Sequence, residues 1–326
     1  MMRYQKLVQE ILEKAKPAGG LHSVVWVACG GSNGGFYAAH YFLTRESKTL
    51  NSQMMTSNEF NLAPPACCGE NCLVVLCSMR GTPETCRAAH TASSMGAQTV
   101  ALYVQESDLT LYSDHAIPYE SIAEDASRAE NVNSSIALDL AAELLAAAEG
   151  YAHLDKMEEA FSMLDDIYRD ACEYCVPRAE EFAGECSRDK VIYVMGSGPS
   201  MGSAYIFSIC NLMEMQWVHS PTVNCGEFFH GPFETLDRTL PVFLLLSEGR
   251  TRPMDERALE FLRKYGQRIY VLDAKELGIN RIADQVNEYF NHLLFSPVLN
   301  NVYLRRLAET RKHPYTHRRY MWKVAY

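Results

Sequence analysis

Two residues of proton-moving types stand out in the 326-residue chain by their settings. Glu214 stands inside the apolar run IFSICNLMEMQW, and His230 follows sixteen residues later in GEFFHGPFE, between Glu227 and a Gly-Pro break. A carboxylate on an apolar helix face costs on the order of several kcal/mol if buried without a partner, unless its pKa rises. A carboxyl group raised in that way suits proton transfer near neutral pH. Three settings therefore stand open for Glu214: a catalytic acid/base, one half of an ion pair, or a place on an exposed rim. His230 is either a chemical group or a polar residue closing a local element.

A second set of residues is suited to an anion. The runs SVVWVAC and KVIYVM each end in a glycine-rich turn, Gly30-Gly31-Ser32-Asn33-Gly34-Gly35 and Gly196-Ser197-Gly198-Pro199-Ser200-Met201-Gly202, and each turn leads into a helical pattern. Strand, small-residue turn and helix form a phosphate cradle, because the backbone N–H groups at the helix start point at the anion. The second turn is one residue off the dinucleotide fingerprint, and no acidic residue follows at the expected strand end. The Walker A pattern is absent. The first copy offers hydroxyls instead: Ser32 beside Gly31, then Ser78, Thr82 and Thr85 in SMRGTPET. These hydroxyls either donate to a compact phosphate or cap the helices they precede.

The elements that must carry these residues occur twice. Glu59-Phe60 with Pro64 matches Glu227-Phe228 with Pro232, and LVVLCS ending at Ser78 matches VFLLLS ending at Ser247. Each copy continues into a helix (PETCRAAHTASSM; MDERALEFLRKYG) and a further strand (QTVALYV; QRIYVLDA). Continuous Val/Ile/Leu runs alternating with helices predict buried parallel strands in βαβ units. The expected fold is α/β: two doubly wound, flavodoxin-like parallel-sheet domains in tandem with flanking helices. The expected segments are an N-terminal helix over 1–20, a first domain over 21–150, a helical connector over 151–188, and a second domain with a C-terminal tail over 189–326. In this alignment Leu62 falls opposite His230, so the shared frame does not require the histidine. Glu227 recurs as Glu59 and reads as frame.

Bulk properties narrow the classes. A formal charge of −10 and a pI near 5.5 disfavour a nucleic-acid partner, which needs a basic face. The most apolar later run, residues 136–148, is interrupted by Asp139 and Glu143 and is too short to span a bilayer. No secretion signal is evident and the cysteines number eleven, so they read as reduced thiols in a cytoplasmic protein. Cys172–Cys175 and the group Cys67, Cys68 and Cys72 lack the second half of a zinc motif, so no metal is expected.

The two-copy layout, CGGS over 29–32, SMRGTPET over 78–85 and MEMQWVHS…GEFFHGPFE over 213–234 resemble the sugar isomerase (SIS) domain family. With SEGRTR, DERALEFLRKYG and the tail RRYMWKVAY, the chain resembles the deglycases of 6-phosphorylated Amadori products, most closely those acting on 6-phosphofructose-aspartate in fructose-asparagine breakdown. The fructoselysine enzymes are less similar. The resemblance implies that Glu214 and His230 are the catalytic pair, since the family places a glutamate and a histidine at those two positions. It implies phosphate or sugar binding by Gly31, Ser32, Ser78, Thr82 and Thr85. It also implies a homodimer with a shared active site, to which His230 is contributed across the interface. The tail would close over that site and bring Arg318, Arg319, Tyr320 or Lys323 near the substrate. Two departures stand out: Gly81 and Thr82 are adjacent where the family spaces them by one residue, and Ser134-Ser135-Ile136 carries no lysine.

The implied reaction is hydrolysis of the ketosamine to glucose 6-phosphate and a free amino acid by acid/base chemistry, with no cofactor. Rival expectations are a fructoselysine 6-phosphate deglycase, an aldose–ketose isomerase of a sugar phosphate, and a non-catalytic SIS module that senses one. A nicotinamide oxidoreductase ranks behind these.

Overall fold

Buried strands set the framework. In the computed structural model, which describes residues 3–325, β1 (Ser23–Ala28) and β3 (Cys72–Cys77) are buried at every position. That burial is why their sequences read as unbroken apolar runs. They pair in parallel at the centre of a five-stranded sheet with β2 (Asn51–Thr56), β4 (Gln98–Tyr103) and β5 (His115–Pro118), in the order β2-β1-β3-β4-β5. The second sheet contains β6 (Tyr193–Gly196), β7 (Thr222–Asn224), β8 (Val242–Leu246) and β9 (Ile269–Asp273), all parallel, in the order β7-β6-β8-β9. Both orders follow the flavodoxin-like doubly wound rule. The two α/β sheets expected from the repeated layout are thus present.

The chain divides into two compact units, Met1–Ser162 and Met163–Tyr326. The division falls inside the helix Leu154–Cys186, which runs through most of the segment expected to connect the copies. Met1, Met2 and Tyr326, at the ends of the expected 1–20 and 189–326 segments, lie outside the described residues. The N-terminal helix is Gln5–Ala15, and it buries Val8, Ile11 and Ala15. No described helix is long and apolar enough to cross a membrane. All eleven cysteines are free thiols.

Within the second unit, Phe182 on the long helix, Phe207, Phe243 and Tyr303 meet at centroid distances of 5.0–6.4 Å. Such edge-on and tilted contacts suit the aromatic quadrupole. The helix after the second glycine turn differs from a regular one. Met201–Ile206 is α-helical, but Phe207–Glu214 widens to a π-helix. A second π segment, Leu299–Leu304, is joined to it by Asn211 Nδ2 donating to Asn300 Oδ1 at 3.0 Å. Local periodicity predicts a helix here and has no signal for the wider turn. Such turns are rare and concentrate at functional sites.

Candidate active site

In the first unit the order β2-β1-β3 places a switch point between β1 and β3, where open α/β sheets bind ligands beyond the strand ends. Ala28 and Cys77 are register partners, so the turns starting at Cys29 and Ser78 leave the sheet side by side. The Ser78 hydroxyl accepts from the Thr82 backbone N–H at 2.9 Å and lies 3.4 Å from Thr82 Oγ1. Thr82 Oγ1 is 3.0 Å from Thr85 Oγ1, which is 2.8 Å from Ser57 Oγ. A chain of four hydroxyls therefore runs from buried Ser57 through Thr85 and exposed Thr82 to Ser78. Thr82 occupies the cap position of the helix Pro83–Ser94 but makes no side-chain cap bond. Its hydroxyl faces Thr85 instead. Ser57 was missed by the sequence reading, because only the fold brings the end of β2 against Pro83–Ser94.

The adjacent Gly81 and Thr82 lie in a tight turn. Gly81 adopts φ +67°, and a β-carbon there would meet Ser107 Oγ at 2.1 Å. Only glycine fits the turn that aims Thr82. Gly31 is exposed in the short helix Gly30–Gly35. Ser32 lies inside that helix rather than at its cap, and its hydroxyl reaches the Cys77 thiol and Tyr119. Burial, the dominant influence, pushes the Cys77 thiol up to about 11, so it remains protonated.

The matching place in the second unit is filled. Asp255 in the helix Arg252–Tyr265 is fully buried, and its Oδ2 accepts from the Ser247 N–H at 3.0 Å and the Ser247 hydroxyl at 2.6 Å. Burial, the dominant influence, raises its pKa against the opposing pull of the neighbouring Ser197, Ser247 and Cys225. A carboxyl group thus sits on Ser247, the counterpart of Ser78.

Glu214 ends the π-helix, and the backbone then reverses through Trp217 at φ +55°. The carboxylate is neither deeply buried nor alone. Arg318 directs Nε (2.8 Å) and Nη2 (2.7 Å) onto Glu214 Oε1, and Oε2 has no hydrogen-bond partner among the described residues. The desolvation argument for an unpaired acid therefore does not apply, and the ion-pair setting is the one observed. Arg318 is 9% exposed, and its Nη1 donates to the carbonyls of Tyr315 (2.6 Å) and His317 (3.1 Å). Lys323 Nζ donates to the Arg318 carbonyl at 2.5 Å.

The rest of MEMQW anchors the same tail. Gln216 Nε2 donates to the His313 carbonyl at 3.0 Å, and Arg311 donates to the Gln216 carbonyl at 3.3 Å. The Trp217 ring packs on His313 and His317 at 4.4 and 5.2 Å and lies under the Arg319 guanidinium at 4.1 Å. Burial, followed by the charges of Arg311 and His317, lowers the His313 pKa. Tyr320 is exposed. Of the four tail residues singled out from the sequence, Arg318 alone contacts Glu214. Gln216, Arg311 and His313 were not singled out, although Gln216 lies within the MEMQW motif.

His230 ends the short helical turn Phe228–His230 and is exposed. Phe228, Phe229 and Phe233 pack on Phe261 at 5.5–5.8 Å, which fixes the segment on both sides of the imidazole. Gly231 at φ +132° makes the break between the two turns. Among the described residues the imidazole has no hydrogen bond, to Glu214 or to any other group. In the first unit, Phe60 is buried like Phe228, and Leu62, opposite His230, is 87% exposed. The repeated frame thus leaves this position facing outward in both copies.

Comparison with known proteins places this architecture. No protein-family model matches the sequence. A crystal structure from Salmonella typhimurium LT2, assigned as a phosphosugar isomerase, matches with a TM-score of 0.94 at 41% identity and covers all of both chains. The class is therefore an α/β enzyme with the SIS phosphosugar-isomerase fold. Fructosamine deglycase FrlB of Bacillus subtilis (strain 168) is 41% identical over 305 residues, 93% of this chain and 92% of its own. Fructoselysine 6-phosphate deglycase of Escherichia coli (strain K12) is 24% identical over 257 residues, 78% of this chain and 74% of its own. The chain belongs to the fructosamine deglycase family.

Proposed function

We propose that this protein hydrolyses a 6-phosphorylated Amadori product to glucose 6-phosphate and a free amino acid, with 6-phosphofructose-aspartate as substrate. The observation that carries this reading is the half-engaged carboxylate of Glu214, with Oε1 held by Arg318 and Oε2 open. The similarity to a fructosamine deglycase over nearly the whole chain supports it.

In this mechanism His230 relays the ring hydroxyl proton as the sugar opens. Glu214 removes a proton from C1 and an enaminol forms. Return of a proton to C2 gives an imine between C1 and nitrogen. Water adds to C1, the C1–N bond breaks, and nitrogen leaves as the amine with the proton taken from water. The substrate's own C2 carbonyl accepts the electrons from C1 and its nitrogen then returns them to C2, so positioned acid/base groups suffice.

The phosphate lies on Gly31, Ser32, Ser78 and Thr82, with Thr85 supporting Thr82 from behind. The carboxyl group of Asp255 on Ser247 supports this assignment, since the same frame holds an acidic oxygen in the second copy. The working unit is a cytoplasmic homodimer in which His230 serves the neighbouring subunit's site. Its outward position and lack of a hydrogen-bond partner among the described residues support that role.

The test is turnover of 6-phosphofructose-aspartate, with glucose 6-phosphate coupled to its dehydrogenase and amine release measured in parallel. Absence of amine release would refute the deglycase reading and favour an aldose–ketose isomerase. Absence of any turnover, with retained binding of sugar phosphate, would favour a sensing module. The 24% identical fructoselysine enzyme motivates a second reading: faster cleavage of the lysine conjugate than of the aspartate conjugate would establish it.

A further inference from the structure

The Nη2 end of Arg318 donates no hydrogen bond to the described residues. A guanidinium carries five N–H groups in a fixed fork. Nε donates to Glu214 Oε1 and the two Nη1 N–H groups donate to the Tyr315 and His317 carbonyls, while Nη2 lies 2.7 Å from Oε1 as an ion-pair contact. The side chain is only 10% exposed, and three hydrogen bonds with the ion pair fix its orientation. A mostly buried cation whose open donor still reaches solvent is suited to an anion arriving from that side.

The position of that anion follows from the reaction. Resting on the deglycase reading above, a Glu214 oxygen must approach C1 of the sugar to about 3–3.5 Å. In a conjugate of an α-amino acid, the carboxylate carbon is three bonds from C1, through nitrogen and Cα. Standard bond lengths keep it within about 4 Å of C1 whatever the torsions. Nη2 of Arg318, 2.7 Å from Glu214 Oε1, lies in the same small volume.

We infer that Arg318 binds the α-carboxylate of the departing amino acid and bridges it to Glu214. The guanidinium holds two negative groups, base and substrate, which would otherwise repel each other at close range. Arg318 is thus a determinant of which amine is released: a conjugate whose amine carries an adjacent carboxylate is accepted, and its neutral analogue is disfavoured. The tail contributes this contact directly, beyond covering the site.

The experiment compares kcat/KM for 6-phosphofructosyl-glycine and 6-phosphofructosyl-glycinamide, which differ by one charge at the carboxyl position. Loss of a charge-assisted hydrogen bond is expected to make the wild type about 10–100-fold better on the glycine conjugate. Arg318→Met should bring the ratio to unity or below, because the carboxylate then faces Glu214 unscreened. Arg318→Lys should keep part of the preference. A purely structural clip between tail and π-helix would lower both rates equally and leave the ratio unchanged, which would overturn the inference. So would a wild type with no preference, a result that needs no variant to fold. If the wild type cleaves neither conjugate nor 6-phosphofructose-aspartate, the deglycase reading itself fails.

Discussion

Replacing Glu214 with glutamine separates the chemical role of this residue from its structural one. Glutamine keeps the shape and one oxygen for Arg318 but removes the charge and the base. The pair is intermediate in exposure, at 24% for Glu214 and 10% for Arg318. Its weakening should therefore cost more than the ~0–1 kcal/mol of an exposed pair and less than the ~3–5 kcal/mol of a broken buried one. About 1–2 kcal/mol is the expected loss, a fall in Tm of about 2–8 °C for a unit of this size. A domain with a typical stability of about 5–15 kcal/mol remains more than ~95% folded after that loss. Removing a general base, by contrast, typically lowers turnover about 10²–10⁴-fold. The two effects differ enough to be read separately. Glucose 6-phosphate release would be followed at saturating 6-phosphofructose-aspartate, with circular dichroism melts on the same samples. A Glu214→Gln enzyme within about tenfold of the wild-type rate would refute the assignment of Glu214 as the base and leave it as an ion-pair partner.

Further outcomes follow from the same geometry. His230→Ala should lose about 10²-fold or more in turnover with little change in Tm, because the side chain is exposed and has no internal bond; a normal rate would remove it from the mechanism. Gly81→Ala should destabilise the first unit by on the order of 1–3 kcal/mol and raise KM for phosphorylated substrates, since the turn combines φ +67° with a 2.1 Å contact to Ser107; an unchanged melt would contradict this. Thr85→Val should leave the buried Ser57 hydroxyl without its Thr85 partner at a cost of about 1–3 kcal/mol, measured by urea unfolding. His292, buried and bonded to Ser203, has its pKa lowered by burial from 6.5 to about 4. Between those values the unfolded chain takes up a proton there and the folded chain does not, so its contribution falls by about 2 kcal/mol from pH 7 to pH 5 and is level above pH 7. His292→Asn should reduce the loss of stability over that interval by this amount, and an unchanged pH slope would refute it.

Sequence alone determined the two-copy plan and its type. The apolar runs of β1, β3 and β8, the glycine turns after β1 and β6, and the helices Pro83–Ser94 and Arg252–Tyr265 lie where composition and spacing place them. These features are legible because buried parallel strands and helix starts leave local signatures within about ten residues. The matched frame around Glu59 and Glu227 likewise identified His230 as an addition to a repeated scaffold. Local pattern could not reveal the π-helical winding that ends at Glu214, since the hydrophobic spacing of FSICNLME fits an ordinary helix as well. It also gave no means of choosing among the three settings for Glu214. That choice depends on Arg318, 104 residues away in the chain, just as the support of Thr82 depends on Ser57 arriving from another strand end. Tertiary structure decided these points because a side chain's charge environment is set by what folding brings beside it, whatever its distance along the chain.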